Sequence, residues 1–322
     1  MMRVVVAGGA GFIGSHLCRE LLARGHEVVC LDNLLTGRRE NIAELGGVRG
    51  FRFEQVDICE APDVAAELYL HLASPASPVH YQTHSIETML ANSEGTRRLL
   101  ELAARHGGRL LYASTSEVYG DPLEHPQRET YWGNVNPIGP RACYDEAKRF
   151  GEALVMEYRR KRAVNASIIR IFNTYGPRMN LADGRVVPAF IAAALAGEPL
   201  PVHGDGSQTR AFCYVSDLVA GLLHVALDWQ ADGEVFNVGN PHEVTMLELA
   251  EAITSLTGSG AGLTFLPRTV DDPERRRPGI GRMRARYGWE PRVSLADGLR
   301  ETIAYFHREA TPAGVAVAEA RA

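Results

Sequence analysis

The first half of the chain alternates short unbroken apolar runs with longer stretches whose apolar residues recur at helical spacing. Val4-Val5-Val6-Ala7 is the first run, as expected of a parallel strand covered on both faces. Ser15 to Arg24 then reads as an amphipathic helix closed by Gly25. His26 to Leu31, Phe51 to Val56, Leu68 to Ala73 and Arg109 to Ala113 predict four further strands, with a helix over Leu90 to His106 opening near Asn92. A long helix over Tyr144 to Lys161 leads to a sixth strand, Ala166 to Phe172. Strands and helices in this alternation predict an α/β fold, a doubly wound parallel sheet.

Beyond Pro177 the pattern becomes shorter and mixed. Val187 to Ala196 reads as helix and Leu200-Pro201-Val202 as a short strand, and residues 204–210 form a glycine-punctuated loop ending in a cation. Val215 to Leu227 predicts a helix, and Glu234 to Asn237 a strand that can return to the large sheet. Thr245 and Glu248 form a capping box that opens a helix to Leu256. Leu263 to Leu266 reads as strand, Arg275-Arg276-Arg277-Pro278 as a basic loop and Ser294 to Arg308 as a last helix. The expected division is a sheet domain of residues 1–175 with 211–240, a smaller mixed α/β domain of 176–210 with 241–310, and a disordered tail over 311–322.

Composition narrows the function classes. With 322 residues, 45% of them hydrophobic, the chain can bury a sizeable core. A net charge of -5 gives no electrostatic case for nucleic acid, so the triple arginine needs a local explanation such as a phosphate. The five cysteines lack CxxC or Cys/His ligand spacing and read as reduced thiols of a cytoplasmic protein without a structural metal. The first strand begins at Arg3, which leaves no room for a signal peptide, and no apolar run approaches membrane-spanning length.

The candidate chemistry lies at the strand ends. Gly8-Gly9-Ala10-Gly11-Phe12-Ile13-Gly14 follows the first strand directly, where glycines let backbone approach a pyrophosphate at a helix N-terminus. Such glycines also serve tight turns for steric reasons alone. Here the second strand ends in Asp32, placed to accept from adenosine ribose hydroxyls, and this order of elements points to a Rossmann-type site. The carboxylate favours NAD over a 2′-phosphorylated cofactor, although Arg38 and Arg39 follow in the next loop. Asp57-Ile58 suits the adenine edge, and Ser74-Pro75-Ala76-Ser77-Pro78 predicts a rigid loop at the carboxyl end of the sheet, since two close prolines exclude helix. Tyr144 and Lys148 are one helical turn apart, so an ammonium beside the phenol is expected to lower its pKa and make it a base. Thr115, at the end of the fifth strand, can orient the same substrate oxygen, and Glu117, two residues on in a strand-like segment, can share its face. Residues 121–141 form a long Pro-, Gly- and Asn-rich loop that suggests a functional cover.

Taken together, the glycine loop, Asp32, and Tyr144 with Lys148 resemble the extended short-chain dehydrogenase/reductases that act on nucleotide sugars. The match is closer to the UDP-glucuronate decarboxylases, through His71 to Pro78, Ser114 to Pro122, Tyr131 to Asp145, Arg170 to Met179, Gly206 to Asp217 and Asp271-Asp272-Pro273. This resemblance implies that Thr115, Tyr144 and Lys148 serve hydride transfer, with Glu117 and Arg276 particular to the decarboxylase. It places Gly8, Gly11, Phe12, Ile13, Gly14, Asp32, Asn33, Asp57, Ile58, Leu72, Ala73, Ser74 and Asn92 around NAD. It places Ser116, Asn173, Arg178, Val187, Gln208, Arg210, Tyr214 and Arg276 around UDP-glucuronate. It further implies a homodimer through a four-helix bundle of Leu90–His106 and Tyr144–Lys161, with Leu99, Leu102, Leu154 and Met156 as apolar contacts. The expected reaction is oxidation at C4, loss of carbon dioxide from the resulting β-keto acid, protonation at C5 with help from Glu117, and reduction of the ketone. Rival readings are a UDP-glucuronate 4-epimerase, a sugar-nucleotide 4,6-dehydratase and a nucleotide-sensing module without turnover.

Overall fold

The computed structural model describes residues 1–268, 273 and 275–310. The expected tail over 311–322 and the Asp271-Asp272 pair lie outside the described residues.

Seven parallel strands make the main sheet: β1 (Arg3–Ala7), β2 (Glu27–Asp32), β3 (Phe51–Gln55), β4 (Leu68–His71), β5 (Arg109–Thr115), β6 (Asn165–Ile171) and, late in the chain, Val235–Val238. From one edge the order is Val235–Val238, β6, β5, β4, β1, β2, β3, so it reverses between β1 and β4. The sheet is the expected doubly wound one. Its late strand pairs with β6 in parallel, Phe236 opposite Ile169, which puts the predicted returning strand at the sheet edge.

Alternation along each strand sends side chains to opposite faces, and both faces are apolar. Val4 and Val6 join one core with Val28, Cys30 and Leu70, covered by α1 (Phe12–Ala23) and the helix Val215–Leu227. Val5 and Ala7 join the other core with Val29, Leu31, Tyr69 and Tyr112. That second face is covered by α4 (Thr96–His106) and α5 (Ala142–Arg162), and α2 (Pro78–Thr83) and α3 (Ser85–Leu90) pack on α5. Strands buried on both faces therefore carry apolar residues at nearly every position, and this is why their runs are unbroken.

Two local expectations change. Pro78 does not prolong the loop after β4 but opens α2, because a first-turn proline forfeits no helical hydrogen bond. The helix expected over Leu90 to His106 starts earlier, at Ser85, and is interrupted by a π turn over Ala91–Gly95. The wider turn brings Asn92 wholly inside, where its amide donates to Thr88 O (2.8 Å) and Ser74 Oγ (2.9 Å) and its Oδ1 accepts from Tyr112 (3.0 Å).

A smaller lobe is built around its own core of Phe190, Ile191, Leu200, Leu249, Ile253, Leu299 and Phe306. It contains β7 (Thr174–Tyr175), α6 (Val186–Ala196), β8 (Leu200–His203), β9 (Thr209–Ala211) and β10 (Cys213–Tyr214). After α7 (Val215–Leu227) and β11 (Val235–Val238) come β12 (Glu243–Thr245), α8 (Met246–Thr257), β13 (Leu263–Leu266), β14 (Arg275–Arg276), α9 (Gly281–Tyr287) and α10 (Leu295–Ala310). The capping box forms as expected, with Thr245 and Glu248 each taking the other's backbone N–H. Arg210 and Arg276, both expected in loops, sit instead in neighbouring strands, because β9 is flanked by β12 on one side and β14 on the other.

Glycines mark where backbone meets backbone. A Cβ on Gly14 would lie 2.1 Å from Gly8 O, whereas one on Gly281, at the start of α9, would meet nothing within 4 Å. Gly14→Ala should therefore destabilise the protein by roughly 1–3 kcal/mol through overpacking. Gly281→Ala should be neutral or stabilising by about 0.4–1 kcal/mol. Chemical denaturation of the two variants, in which Gly14→Ala proved no less stable than Gly281→Ala, would contradict the packing described.

Candidate active site

The carboxyl ends of β1, β2, β4, β5 and β6 converge on one edge, beside the point where strand order reverses. After β1, Gly8 turns with φ +79° and its carbonyl accepts from Gly11 N (3.2 Å). Gly11 then stands at the N-cap of α1 with no side chain capping the helix. A Cβ there would meet only Gly8 O, at 3.2 Å, so the outer side of this glycine is open. Uncapped N–H groups beside an open glycine form an anion seat.

Asp32 ends β2 and accepts from Ala10 N and Leu34 N, both at 2.9 Å. Burial raises its pKa, against those backbone donors. Asn33 donates to Asp57 (2.9 Å), and both line a cavity of about 80 Å³ with Asp32, Ile58, Ala73 and Ser74. Arg38 and Arg39, the opposing signal for cofactor choice, are both tied up in hydrogen bonds, Arg38 while bordering a larger, adjoining cavity. Arg38 binds Asn41 Oδ1 (3.2 Å), while Arg39 donates to Gln55 (2.7 Å) and lies 5.0 Å from the Phe53 ring centre. A carboxylate rather than a guanidinium thus stands at the ribose end, and the residues present fit NAD.

A larger cavity of about 570 Å³ shares Gly8, Gly11, Leu72 and Ser74 with the small one. It takes in Phe12, Ile13 and Gly14, then Thr115, Ser116, Glu117, Tyr144 and Lys148, and finally Asn173, Arg178, Val187, Gln208, Arg210 and Arg276 of the farther wall. Two expected residues are absent from the lining of both cavities. Asn92 is sealed behind Ser74, and Tyr214 packs its ring on Tyr175, 5.6 Å centre to centre.

Within the cavity the Thr115 hydroxyl stands near the Tyr144 phenol and favours its ionised form, and the Tyr81 ring stacks on that of Tyr144 at 4.9 Å and 6°. Lys148 does not hydrogen-bond the phenol directly. Its Nζ donates to Ala113 O (2.7 Å) and lies 5.9 Å from the Tyr144 ring centre. Burial pushes the phenol's pKa up, with the Thr115 hydroxyl opposing. Burial also pulls the Lys148 ammonium down to about 7, against the Glu152 carboxylate.

Glu117 is not on a strand. β5 ends at Thr115 and a 3₁₀ turn over Ser116–Tyr119 follows, capped by Thr115 Oγ1, which accepts from Glu117 N (3.2 Å). The turn presents the carboxylate to two guanidiniums: Arg141 Nη2 donates at 2.5 Å and Arg276 Nη2 at 2.8 Å, with a second bond from Arg276 Nη1. Burial would raise the pKa of this acid, but Arg276 and Arg141 outweigh it and hold it at about 2. Glu117 is therefore a carboxylate at neutral pH, which argues against its delivering its own proton at C5 and leaves the expected help to a route through water. Asp145, beside it in charge space, goes the other way: burial and Glu117 raise its pKa to about 7.

Arg141, Tyr81 and Asp145 were not singled out from the sequence. Arg141 had a readable signal, because it stands three residues before Tyr144 at helical spacing. Tyr81 and Asp145 had none, since a stacking partner far along the chain and a burial-driven shift are tertiary effects. Arg210 keeps its guanidinium on Pro273 O (2.7 Å) and Thr209 O (2.8 Å), and Gln208 donates to His203 O (2.6 Å).

Comparison with known proteins agrees with this geometry. Residues 4–239 match the NAD dependent epimerase/dehydratase family. UDP-glucuronic acid decarboxylase 1 of Arabidopsis thaliana is 52% identical over 95% of this chain and 70% of its own length. UDP-glucuronic acid decarboxylase 1 of Danio rerio is 52% identical over 95% of this chain and 73% of its own. Among solved structures, a UDP-glucuronic acid 4-epimerase from Bacillus cereus, in complex with UDP-4-deoxy-4-fluoro-glucuronic acid and NAD, superposes with a TM-score of 0.87. It is 28% identical, over 95% of this chain and 99% of the other. A glycine loop, an acid at the end of β2 and a Thr-Tyr-Lys cluster on a seven-stranded sheet, matched along nearly the whole chain by such relatives, place this protein in the NAD dependent epimerase/dehydratase family, among the UDP-glucuronic acid decarboxylases.

Proposed function

We propose that this protein decarboxylates UDP-glucuronate to UDP-xylose, and that the observation carrying this reading is Glu117 gripped by Arg141 and Arg276 beside Thr115 and Tyr144. Residues 1–175 with 211–240 form the cofactor lobe in this reading, and 176–210 with 241–310 the sugar-nucleotide lobe. The two parts have separate cores, although Ile280, Met283 and Trp289 pack into the core of the sheet, so the stretch around α9 goes with the cofactor lobe. Gly8, Gly11 to Gly14 and Asp32 would hold NAD, with Asn33, Asp57, Ile58, Leu72, Ala73 and Ser74 around its adenosine end. Asn173, Val187, Gln208, Arg210 and Ser116 would hold the sugar nucleotide.

The chemistry that NAD supplies when bound is reversible hydride acceptance, which makes the C5 carboxylate the acid of a β-keto acid and lets the ketone be restored to an alcohol. Tyr144 takes the proton from the C4 hydroxyl, and Thr115 holds that oxygen and the phenol in line. Because burial keeps the phenol protonated, it can take that proton only by handing on its own, and Lys148, drawn towards its free amine, sits one turn away to receive it. Glu117, as a fixed carboxylate, repels the substrate's own carboxylate and favours its departure as carbon dioxide. Arg276 and Arg141 hold that charge in place and stabilise the enolate that remains. An epimerase needs the phenol but has no use for a carboxylate so placed, which favours decarboxylation over the rival outcome.

The oligomer belongs to the same proposal, with different contacts. Leu99 and Leu102 are buried in the protomer's own core, so they cannot be interface residues, while Leu154 and Met156 pack against that core and stay only partly buried. Instead α3, which packs on α5, leaves Ile86 63% and Met89 47% exposed, and α5 leaves Phe150 52% exposed. Two such pairs of helices facing each other would make the four-helix bundle of a homodimer. A cytoplasmic setting is supported by five free cysteines. Among the described residues no helix is long and apolar enough to cross a membrane.

Tyr144→Phe should keep NAD bound and lower turnover by at least roughly 10²–10⁴-fold, the contribution of a general base; near-parental activity would remove Tyr144 from the mechanism. Glu117→Gln should bind cofactor and UDP-glucuronate yet decarboxylate slowly. Single-turnover kinetics in deuterated water, with deuterium at C5 of the product analysed, separates a slow carbon dioxide loss from a slow protonation, and UDP-xylose formed at the parental rate would sink the assignment. Phe150→Glu should shift the sedimentation coefficient from dimer to monomer, whereas an unchanged dimer would move the interface elsewhere.

A further inference from the structure

Arg178 was expected to hold the sugar nucleotide, and it does line the cavity. Its guanidinium, however, is bound within the protein, on the cofactor side. Nη1 donates to Asn41 O at 2.5 Å and Nη2 to Glu44 Oε1 at 2.6 Å, both in the 3₁₀ turn Arg39–Leu45 between β2 and β3. The residue is buried and its backbone is left-handed, φ +73°. A non-glycine residue keeps that conformation only where its surroundings fix it.

The turn it grips leads straight to the glycine loop. Asn41, itself buried, donates through Nδ2 to Ala10 O (3.0 Å), and Arg38 N donates to the same oxygen (3.0 Å). Ala10 N is the donor that fixes Asp32. One residue before Arg178, Pro177 O accepts from His16 Nε2 of α1 (3.0 Å). Segment 177–178 is therefore bonded both to the helix whose N-terminus forms the anion seat and to the turn that backs the loop. One connected set of hydrogen bonds runs from the smaller lobe, through Arg178 and Asn41, to Ala10 and Asp32.

We propose that Arg178 is a positioning residue that clamps the Arg39–Leu45 turn onto the glycine loop and so retains the dinucleotide between the two hydride steps. A reaction that oxidises a carbon and later reduces it with the same cofactor molecule fails if the reduced cofactor escapes midway. This proposal rests on the decarboxylase reading only for that need. The clamp itself is measured without any sugar nucleotide, so its failure and that of the reading are distinguishable.

The test is NADH release from the purified full chain, followed by stopped-flow fluorescence with excess NAD as the displacing nucleotide, alongside UDP affinity by titration calorimetry. Loss of a buried charge-assisted pair in Arg178→Met should speed release about tenfold. Arg178→Lys, which can keep one of the two bonds, should fall between it and the parent. Glu44→Ala should speed release to a smaller extent, and because Glu44 is half exposed this variant folds even if Arg178→Met does not. Glu44 also pairs with exposed Arg19, so Arg19→Ala serves as the control and should leave release unchanged. UDP affinity should be unaltered in all four. Parental release from both Glu44→Ala and Arg178→Met, or from Glu44→Ala alone if Arg178→Met does not fold, would overturn the proposal. So would a loss of UDP affinity in Arg178→Met with unchanged NADH release, which would return Arg178 to the sugar nucleotide.

Discussion

The ion cluster of Glu117 with Arg141 and Arg276 is the contact on which the site depends. Its three members come from different parts of the fold: the turn that ends β5, the residue that opens α5, and β14 of the smaller lobe. Burying one carboxylate between two guanidiniums is tolerable only because each oxygen has a donor. Removing one partner would leave a buried charge uncompensated. The cluster thereby ties the second lobe to the carboxyl edge of the sheet at the place where substrate must sit. The loop over residues 121–141 is pinned to the same region, since Gln127 exchanges backbone hydrogen bonds with Arg277 and Gly279.

Burial sets the protonation of everything around that cluster, and in opposite directions. The fully enclosed Tyr144 is pushed towards its neutral form and Lys148 towards its free amine, while Asp145 is drawn towards neutrality and Glu117 stays ionised because its cations are closest. Groups with neighbouring positions and diverging pKa values are what acid–base chemistry near neutral pH requires. Buried as they are, these charges act more strongly on a bound sugar than exposed ones would.

Much of this was legible in the sequence because much of it is local. The unbroken apolar runs reported strands covered on both faces, and Gly8 to Gly14 followed by Asp32 reported a strand–turn–helix unit whose spacing is set by backbone geometry. The Thr115, Tyr144 and Lys148 set was placed correctly at one end of the sheet for the same reason. What could not be read was direction and environment. Spacing put Lys148 on the face of Tyr144 but could not show the ammonium turning to Ala113 O. Composition could not show the π turn that takes Asn92 inside, nor that Leu99 and Leu102 face the protomer's own core. Arg178 carried a strong local motif whose partner, Glu44, lies on the far side of the glycine loop, so its bonds became visible only with the fold assembled.

The central claim is that a fixed carboxylate beside the phenol directs the keto acid to lose carbon dioxide. The most direct measurement is a carbon balance on UDP-glucuronate labelled at its carboxyl carbon, with the released gas and the nucleotide sugar analysed together. The account predicts label in carbon dioxide in equal amount to the UDP-pentose formed. Label retained in a UDP-hexuronate, with its configuration at C4 inverted, would contradict it.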